Sequence, residues 1–328
     1  MESRVDTRRV VVYLAFAFGI SWGVGLIVYL TGGIANSPTL FKIGPSPMTL
    51  ATVLVATGYM FAPAISHVLT RVVTGEGWQG AFLRPKFKRG WKYWAIAWVL
   101  PALLTVIGAA LYFAIFPRYF DASGSQYRAA LSAQLGPQVA DSLPDPLWPI
   151  MIAGALQGIL FAPLINGLFT FGEEFGWRAY LQPKLMPLGG RKALLLIGII
   201  WGVWHWPVIA MGHNYGLNYA GAPWLGILAM IWFTLNLAVI FGWLTLKAGS
   251  VWPGVIGHAA INGIAGVAAP FISGQPNPLL GPLPVGVIAL IPTTLLVAWL
   301  FLHPTALTPG EEATPIDAPI VIHEGSST

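Results

Sequence analysis

Residues Phe171–Arg178 read Phe-Gly-Glu-Glu-Phe-Gly-Trp-Arg and end a long apolar run that starts near residue 147. Of the twelve acidic residues in the chain, only Glu173 and Glu174 adjoin a run apolar enough to enter a membrane. Ionisable side chains next to hydrocarbon are costly and therefore indicate a functional site. Arg178 follows Glu174 by four residues, a spacing that pairs the two side chains on a helix. Glu173 is left without an evident local partner.

The composition around this stretch is typical of a membrane protein. The 328 residues are 56% hydrophobic and 9% charged, whereas soluble domains carry about 25% charged residues. Fifteen Trp and ten Tyr residues suit the aromatic belts of a bilayer interface. The net charge of +5 comes from basic residues in short loops, which favours membrane orientation over nucleic-acid binding. The lack of cysteine excludes a disulfide framework, a thiolate metal site and a cysteine nucleophile.

Eight apolar stretches approach the length of about 20 residues that spans the hydrocarbon core. These candidate spans are residues 10–31, 48–70, 93–116, 147–170, 193–211, 224–246, 251–270 and 283–303. The fourth is expected to continue as helix through Arg178. Between the third and fourth spans, Gln126 to Leu135 is predicted to form a short surface helix.

The distribution of basic residues predicts the orientation. Fourteen Lys and Arg residues fall in segments on the side of the N-terminus, against three on the other side, and the basic side is cytoplasmic. We therefore predict an all-α, polytopic membrane helical bundle of about eight transmembrane helices with both termini cytoplasmic. Residues 1–303 are predicted to form one transmembrane domain in a cell membrane, with the part that bears the polar motifs at about 147–270. The tail, 304–328, is predicted to be disordered.

Three spans carry polar residues at similar depth in the cytoplasmic half. His205 lies in the fifth span, and His258 and Asn262 lie four residues apart on one face of the seventh. A desolvated carboxylate such as Glu173 can act as a general base towards water. His205 could orient that water, and His258 with Asn262 could donate hydrogen bonds to an oxyanion. Together with the Glu174–Arg178 pair as an anchor, this set predicts a hydrolytic site.

Each of these residues also has a structural interpretation. His205 stands between two Trp residues and could belong to an aromatic packing layer, and His258 with Asn262 could join helices by hydrogen bonds. The four remaining histidines fall at span ends, in loops or in the tail, and are predicted to lie at the surface. They are His67, His213, His303 and His323.

The motifs Glu173-Glu174-x-x-x-Arg178, Trp201-x-x-x-His205 and His258-x-x-x-Asn262 resemble those of the CAAX prenyl protease and bacteriocin-processing family, which includes the type II CAAX prenyl endopeptidase. The family motifs are EExxxR, FxxxH and HxxxN, in this order on successive spans. Trp201 replaces the usual Phe and is expected to form a bulky apolar wall. The resemblance covers about residues 147–270.

The resemblance implies an intramembrane endopeptidase in which Glu173 activates water, His205 assists it, and His258 and Asn262 form the oxyanion site. Glu174 and Arg178 support that site. The implied substrate is a membrane-associated or lipidated peptide, including a CAAX-prenylated one. The family has been described both as metal-dependent and as metal-free. Because the chain has no H-E-x-x-H motif, we expect no metal, with zinc on Glu173, His205 and His258 as the alternative.

Three other functions compete with this interpretation. Gly19–Gly23 fits the G-x-S-x-G pattern of a serine nucleophile at Ser21, but it lies inside the first span, where Gly19 and Gly23 are expected to form a helix-packing face. A proton-coupled transporter would use the Glu and His residues as a relay, although no repeated halves are visible. A non-catalytic immunity or scaffold protein would keep the spans and tolerate loss of Glu173.

Overall fold

The computed structural model describes residues 4–44 and 46–309. Most of the predicted tail, from residue 310 onward, lies outside the described residues. The helices are α1 (Thr7–Leu30), α2 (Leu50–Leu54), α3 (Met60–Thr74), α4 (Phe87–Ile115), α5 (Ser125–Leu135), α6 (Pro137–Asp141), α7 (Trp148–Leu160), α8 (Ala162–Gly176), α9 (Gln182–Leu185), α10 (Gly190–Trp204), α11 (Trp206–Ala210), α12 (Trp224–Ala248), α13 (Trp252–Ile264) and α14 (Ile291–Leu302). The short helix predicted at Gln126 to Leu135 is confirmed as α5.

Tighter and wider helical turns join some of these helices. Turns of π-helix at Val55–Tyr59 and Trp177–Leu181 connect α2 to α3 and α8 to α9. Turns of 3₁₀ helix lie at Pro117–Tyr119, Met186–Leu188 and Ala269–Phe271. The helix after the fourth predicted span therefore continues through Arg178, as expected.

The all-α prediction misses one hairpin. Strands β1 (Thr39–Ile43) and β2 (Ser46–Thr49) pair antiparallel in the loop after α1. Gly44 at the turn has a left-handed φ of +58°, which glycine adopts at little cost. Hydropathy does not reveal this hairpin because each strand is far shorter than a span.

The fold is that of a multi-pass helical membrane protein. Five helical segments are long and apolar enough to cross a membrane, namely Thr7–Leu30, Leu50–Thr74, Gly90–Ile115, Trp224–Ala248 and Trp252–Phe271. A sixth candidate is the pair Trp148–Leu160 and Ala162–Leu188, bent by 46°. Large apolar side chains such as Leu164, Leu168 and Leu295 are 61%, 66% and 66% exposed on the outside of the bundle, as expected for a lipid-facing surface.

The predicted count of eight spans is not confirmed, because three of the predicted stretches are not continuous long helices. The fourth is bent where Phe161 separates α7 from α8. The fifth is divided at His205, just before Pro207, which lacks the amide hydrogen that a continuous helix requires. In the eighth, the helix α14 has only 12 residues. The cytoplasmic placement of the termini stays a prediction.

The core lies around α12, whose side chains are buried along most of its length. Helix α10 packs on α12, and α8 packs between α3 and α13. Three Trp side chains at the centre, Trp177, Trp201 and Trp204, are at most 1% exposed. This arrangement places the ends of α8, α10 and α13 next to one another.

Candidate active site

The acidic pair is buried at the end of α8. Glu173 is 3% exposed and Glu174 is fully buried. The π-helical turn Trp177–Leu181 follows directly, and such turns often occur at functional sites because they redirect side chains within a helix.

Glu174 forms the predicted ion pair with Arg178. The Arg178 Nη1 atom donates to Glu174 Oε1 at 2.9 Å, and both side chains are fully buried. The guanidinium also lies 4.4 Å from the centre of the Trp201 ring, within range of a cation–π interaction. The local i,i+4 contact predicted from the sequence is therefore confirmed.

Glu174 also binds His258. The Nδ1 atom of His258 lies 2.9 Å from the same oxygen, Oε1. Helix α13 can approach because residue 254 is a glycine, where a Cβ would lie 2.9 Å from Thr245 Oγ1 and 3.4 Å from Glu174 Oε2. Glu174 thus connects two predicted site residues, a role that the sequence reasoning did not assign to it.

Glu173 has a partner on a different helix. The indole Nε1 of Trp201 donates to Glu173 Oε2 at 2.7 Å. The sequence analysis treated Trp201 as an apolar wall and missed this hydrogen bond, which a phenylalanine could not make. Trp in the place of Phe was the available signal, because the change adds a donor to an otherwise apolar ring.

His205 lies at the junction between α10 and α11. Its Nδ1 atom is 2.8 Å from the carbonyl oxygen of Trp201, and because a carbonyl only accepts, Nδ1 carries the proton. The Nε2 atom of the neutral ring is therefore an acceptor. The Trp201 ring lies 5.8 Å from the His205 ring and 5.3 Å from the His258 ring. Trp201 is thus in contact with all three predicted groups of side chains.

Asn262 differs from the other predicted residues in its exposure. It lies one turn beyond His258 on α13, and its side chain is exposed. In the described part of the chain it makes no hydrogen bond to another site residue. One turn earlier on the same helix, the Ala259 carbonyl accepts from Asn166 Nδ2 at 3.4 Å. The structure therefore leaves the Asn262 side chain exposed, one turn beyond His258 on α13.

The surface assignment of His67 is wrong. His67 is fully buried between α3 and α8, with Nδ1 2.8 Å from the carbonyl oxygen of Phe175. His213 and His303 are exposed as predicted, and His323 lies outside the described residues. The i,i+4 spacing of His67 and Arg71 was the signal that could have identified a buried contact.

The described residues can also be compared with the two alternatives of a zinc site and a Ser21 nucleophile. Within 4–44 and 46–309, no three His, Asp or Glu side chains form a group that could hold a metal ion; metal independence stays a prediction. Ser21 is buried inside α1 and donates to the Ala17 carbonyl at 2.6 Å. The expected packing role of Gly19 and Gly23 is wrong, because a Cβ at either position would meet nothing within 4 Å.

Comparison with known proteins gives a family match over part of the chain and one similar protein. The family described as type II CAAX prenyl endopeptidase, Rce1-like, matches residues 148–264. The chain is also similar to "CAAX prenyl protease 2" of Methanococcus maripaludis, with 33% identity over 107 residues. That alignment covers 32% of this chain, and it spans 38% of the length of the relative.

The family match covers the part of the chain from α7 to α13. The predicted resemblance to the CAAX prenyl protease and bacteriocin-processing family is confirmed over this segment. The first three spans lie outside it.

Proposed function

We propose that the protein is an intramembrane endopeptidase in which Glu173 activates the water that hydrolyses a peptide bond. The observation that carries this proposal is the buried Glu173 carboxylate, held at 2.7 Å by Trp201 beside two histidines. A fixed carboxylate in an apolar wall is suited to remove a proton from water. No metal is needed for this step.

The two histidines take different parts in the proposed reaction. With its proton on Nδ1, His205 offers Nε2 to the attacking water as an acceptor and so orients it. The water oxygen attacks the carbonyl carbon while its proton passes to Glu173. The C–N bond then breaks, and the same proton goes to the leaving amine, so that the balance of atoms is complete.

The oxyanion of this reaction is assigned to His258 and Asn262. His258 donates to Glu174 through Nδ1, and a protonated imidazole donates from Nε2 as well. Glu174 supplies the opposite charge, and Arg178 holds that carboxylate in place through their contact at 2.9 Å. The exposed amide of Asn262, one turn beyond His258 on α13, is the second proposed donor to this oxygen.

The proposed substrate is a membrane-associated or lipidated peptide, including one with a CAAX-prenylated end. Exposed apolar side chains of α8, such as Leu164 and Leu168, adjoin the segment that carries Glu173. A lipid chain can approach along this surface without leaving the hydrocarbon. The name of the Methanococcus maripaludis relative supports the prenylated class. The excess of basic residues in the loops supports a site on the cytoplasmic side.

The test is a substrate panel in liposomes. Wild type, Glu173→Gln and Asp121→Asn would each be given a fluorogenic prenylated peptide, its unprenylated counterpart and unmodified transmembrane peptides. Asp121 is a partly exposed carboxylate in a loop, so it controls for the change of charge. We expect cleavage of the prenylated peptide by wild type and Asp121→Asn and none by Glu173→Gln. Equal cleavage by all three would refute the assignment, and full biological function of Glu173→Gln would favour a non-catalytic role.

A further inference from the structure

The span Leu50–Thr74 lies outside the family match. It contacts both the segment that carries Glu173 and the helix junction that carries His205. It comprises α2, the π turn Val55–Tyr59 and α3. Helix α3 packs on α8, which carries the acidic pair, and the π turn reaches the junction that carries His205. We infer that this span is a positioning element that sets Glu173 and His205 relative to each other. This inference rests on the proposed function.

The contact with α8 is unusually close. At Gly172, the residue before Glu173, a Cβ would lie 2.7 Å from the Met60 carbonyl oxygen and 3.0 Å from the Phe61 Cα. At Gly176 a Cβ would collide with Pro63. Glycines four residues apart allow two membrane helices to approach this closely. The acidic pair therefore lies on a segment whose opposite face is fixed against α3.

The first positioning contact reaches His205. The Tyr59 hydroxyl donates to the carbonyl of Trp204, which also accepts from Trp22 Nε1 at 3.2 Å. This carbonyl belongs to the peptide unit whose nitrogen is that of His205. The helical bonding is interrupted here, because α10 ends at Trp204. Donors from two other helices therefore fix the peptide plane that directs the His205 side chain.

The second contact reaches the segment that carries the acidic pair. Arg71 Nε donates to His67 Nε2 at 2.6 Å. A guanidinium only donates, so Nε2 must be unprotonated and the proton of the His67 ring lies on Nδ1. Nδ1 then donates to the Phe175 carbonyl at 2.8 Å, in the residue next to Glu174. Arg71 thus fixes the tautomer that holds the end of α8.

These two contacts explain why the span affects catalysis. Glu173 and His205 lie on different helices, so their separation depends on how α8 and α10 are held. A functional site needs its groups held to within about 0.5 Å, and displacement of about 1 Å can cost roughly 10²-fold in rate. Loss of one positioning contact should lower kcat and leave KM nearly unchanged, because Tyr59 and His67 are at most 1% exposed and so are not available to the substrate.

The experiment compares Tyr59→Phe with Tyr112→Phe. Tyr112 is likewise 1% exposed, and in the described part of the chain its hydroxyl makes no hydrogen bond, so both variants lose one buried hydroxyl. For the prenylated peptide in liposomes, we expect Tyr59→Phe to lose about 10-fold to 100-fold in kcat at constant KM. Tyr112→Phe should keep wild-type kcat. Equal kcat for the two variants would overturn the inference.

Rescue tests the second contact. His67→Asn places an amide donor near the position of Nδ1, whereas His67→Leu removes the donor. We expect His67→Leu to have a reduced kcat and His67→Asn to have a kcat close to that of wild type. Thermal melting curves would show that both variants are folded. Equal loss in both variants would overturn the role assigned to His67.

A measurement without turnover separates this inference from the proposed function. In ¹⁵N-histidine NMR spectra of the detergent-solubilised protein, Tyr59→Phe should move the His205 signals and leave those of His258 in place. If the His205 signals move but the wild-type protein cleaves no peptide, the proposed function is refuted and the positioning role is kept. Unmoved His205 signals would overturn the positioning role whatever the activity.

Discussion

The ion pair between Glu174 and Arg178 offers the strongest stability prediction. Glu174→Gln keeps the shape of the side chain and an acceptor for His258, but it removes the charge that neutralises Arg178. Both partners are fully buried, with 2.9 Å between Nη1 and Oε1. The variant therefore leaves the Arg178 charge unpaired in an apolar interior.

The size of the effect follows from this burial. Removing one partner of a buried ion pair costs about 3–5 kcal/mol, which for a chain of this size is a decrease in Tm of roughly 4–8 °C. The matched control is Asp6→Asn. Asp6 pairs with Arg9 at 3.1 Å, but the two side chains are 25% and 26% exposed. Such a pair contributes about 0–1 kcal/mol, and asparagine can still cap α1.

The assay is thermal unfolding of the purified protein in detergent. Arg178→Met in the Glu174→Gln background removes the unpaired charge, so we expect the double variant to be more stable than Glu174→Gln alone. If Glu174→Gln and Asp6→Asn have the same Tm, the ion pair does not anchor the site. The same conclusion follows if the double variant has the lowest Tm.

Three further outcomes are expected. Trp201→Phe keeps a ring but removes the hydrogen-bond donor to Glu173. Because a hydrogen bond to a charged group contributes about 1.5–3 kcal/mol, kcat should fall by about 10-fold or more. An unchanged kcat would show that Glu173 needs no such donor. At the end of α3, partial burial raises the pKa of Glu76, but the hydrogen bond from Lys184 and the charge of Arg71 outweigh it and hold that pKa below its usual value of 4.5. The stability that Glu76 contributes is thus present above pH 4.5 and is lost as the pH falls through its lowered pKa, so a Tm difference between wild type and Glu76→Gln that persists unchanged in acid would contradict it. Finally, EDTA should leave cleavage unchanged, whereas inhibition that added zinc reverses would support the zinc alternative.

Local spacing predicted part of the site. The Glu174–Arg178 pair depends only on helical geometry, and the structure has the expected contact. The Trp201–Glu173 bond joins residues 28 apart in the chain, and the Tyr59–Trp204 bond joins residues 145 apart. Such contacts depend on how helices pack, which the order of residues in a single chain does not reveal.

For the fold as well, local sequence features predicted some elements and missed others. Hydropathy located the spans that are continuous helices, such as Trp224–Ala248. It did not reveal the breaks at Phe161 and His205, because the surrounding residues stay largely apolar where the helical bonding is interrupted. The break at His205 also directs that side chain and frees the Trp204 carbonyl for its two donors. One of the three interruptions in the predicted spans, the break at His205, therefore also helps to build the site.

The most direct test of the central claim is single-turnover cleavage of the prenylated peptide by wild type and Glu173→Gln in the same liposomes. Glutamine keeps the acceptor for Trp201 but cannot take a proton from water. We expect hydrolysis by wild type and no detectable product from Glu173→Gln, with equal Tm values. Hydrolysis by Glu173→Gln at the wild-type rate would contradict the claim that Glu173 activates the water.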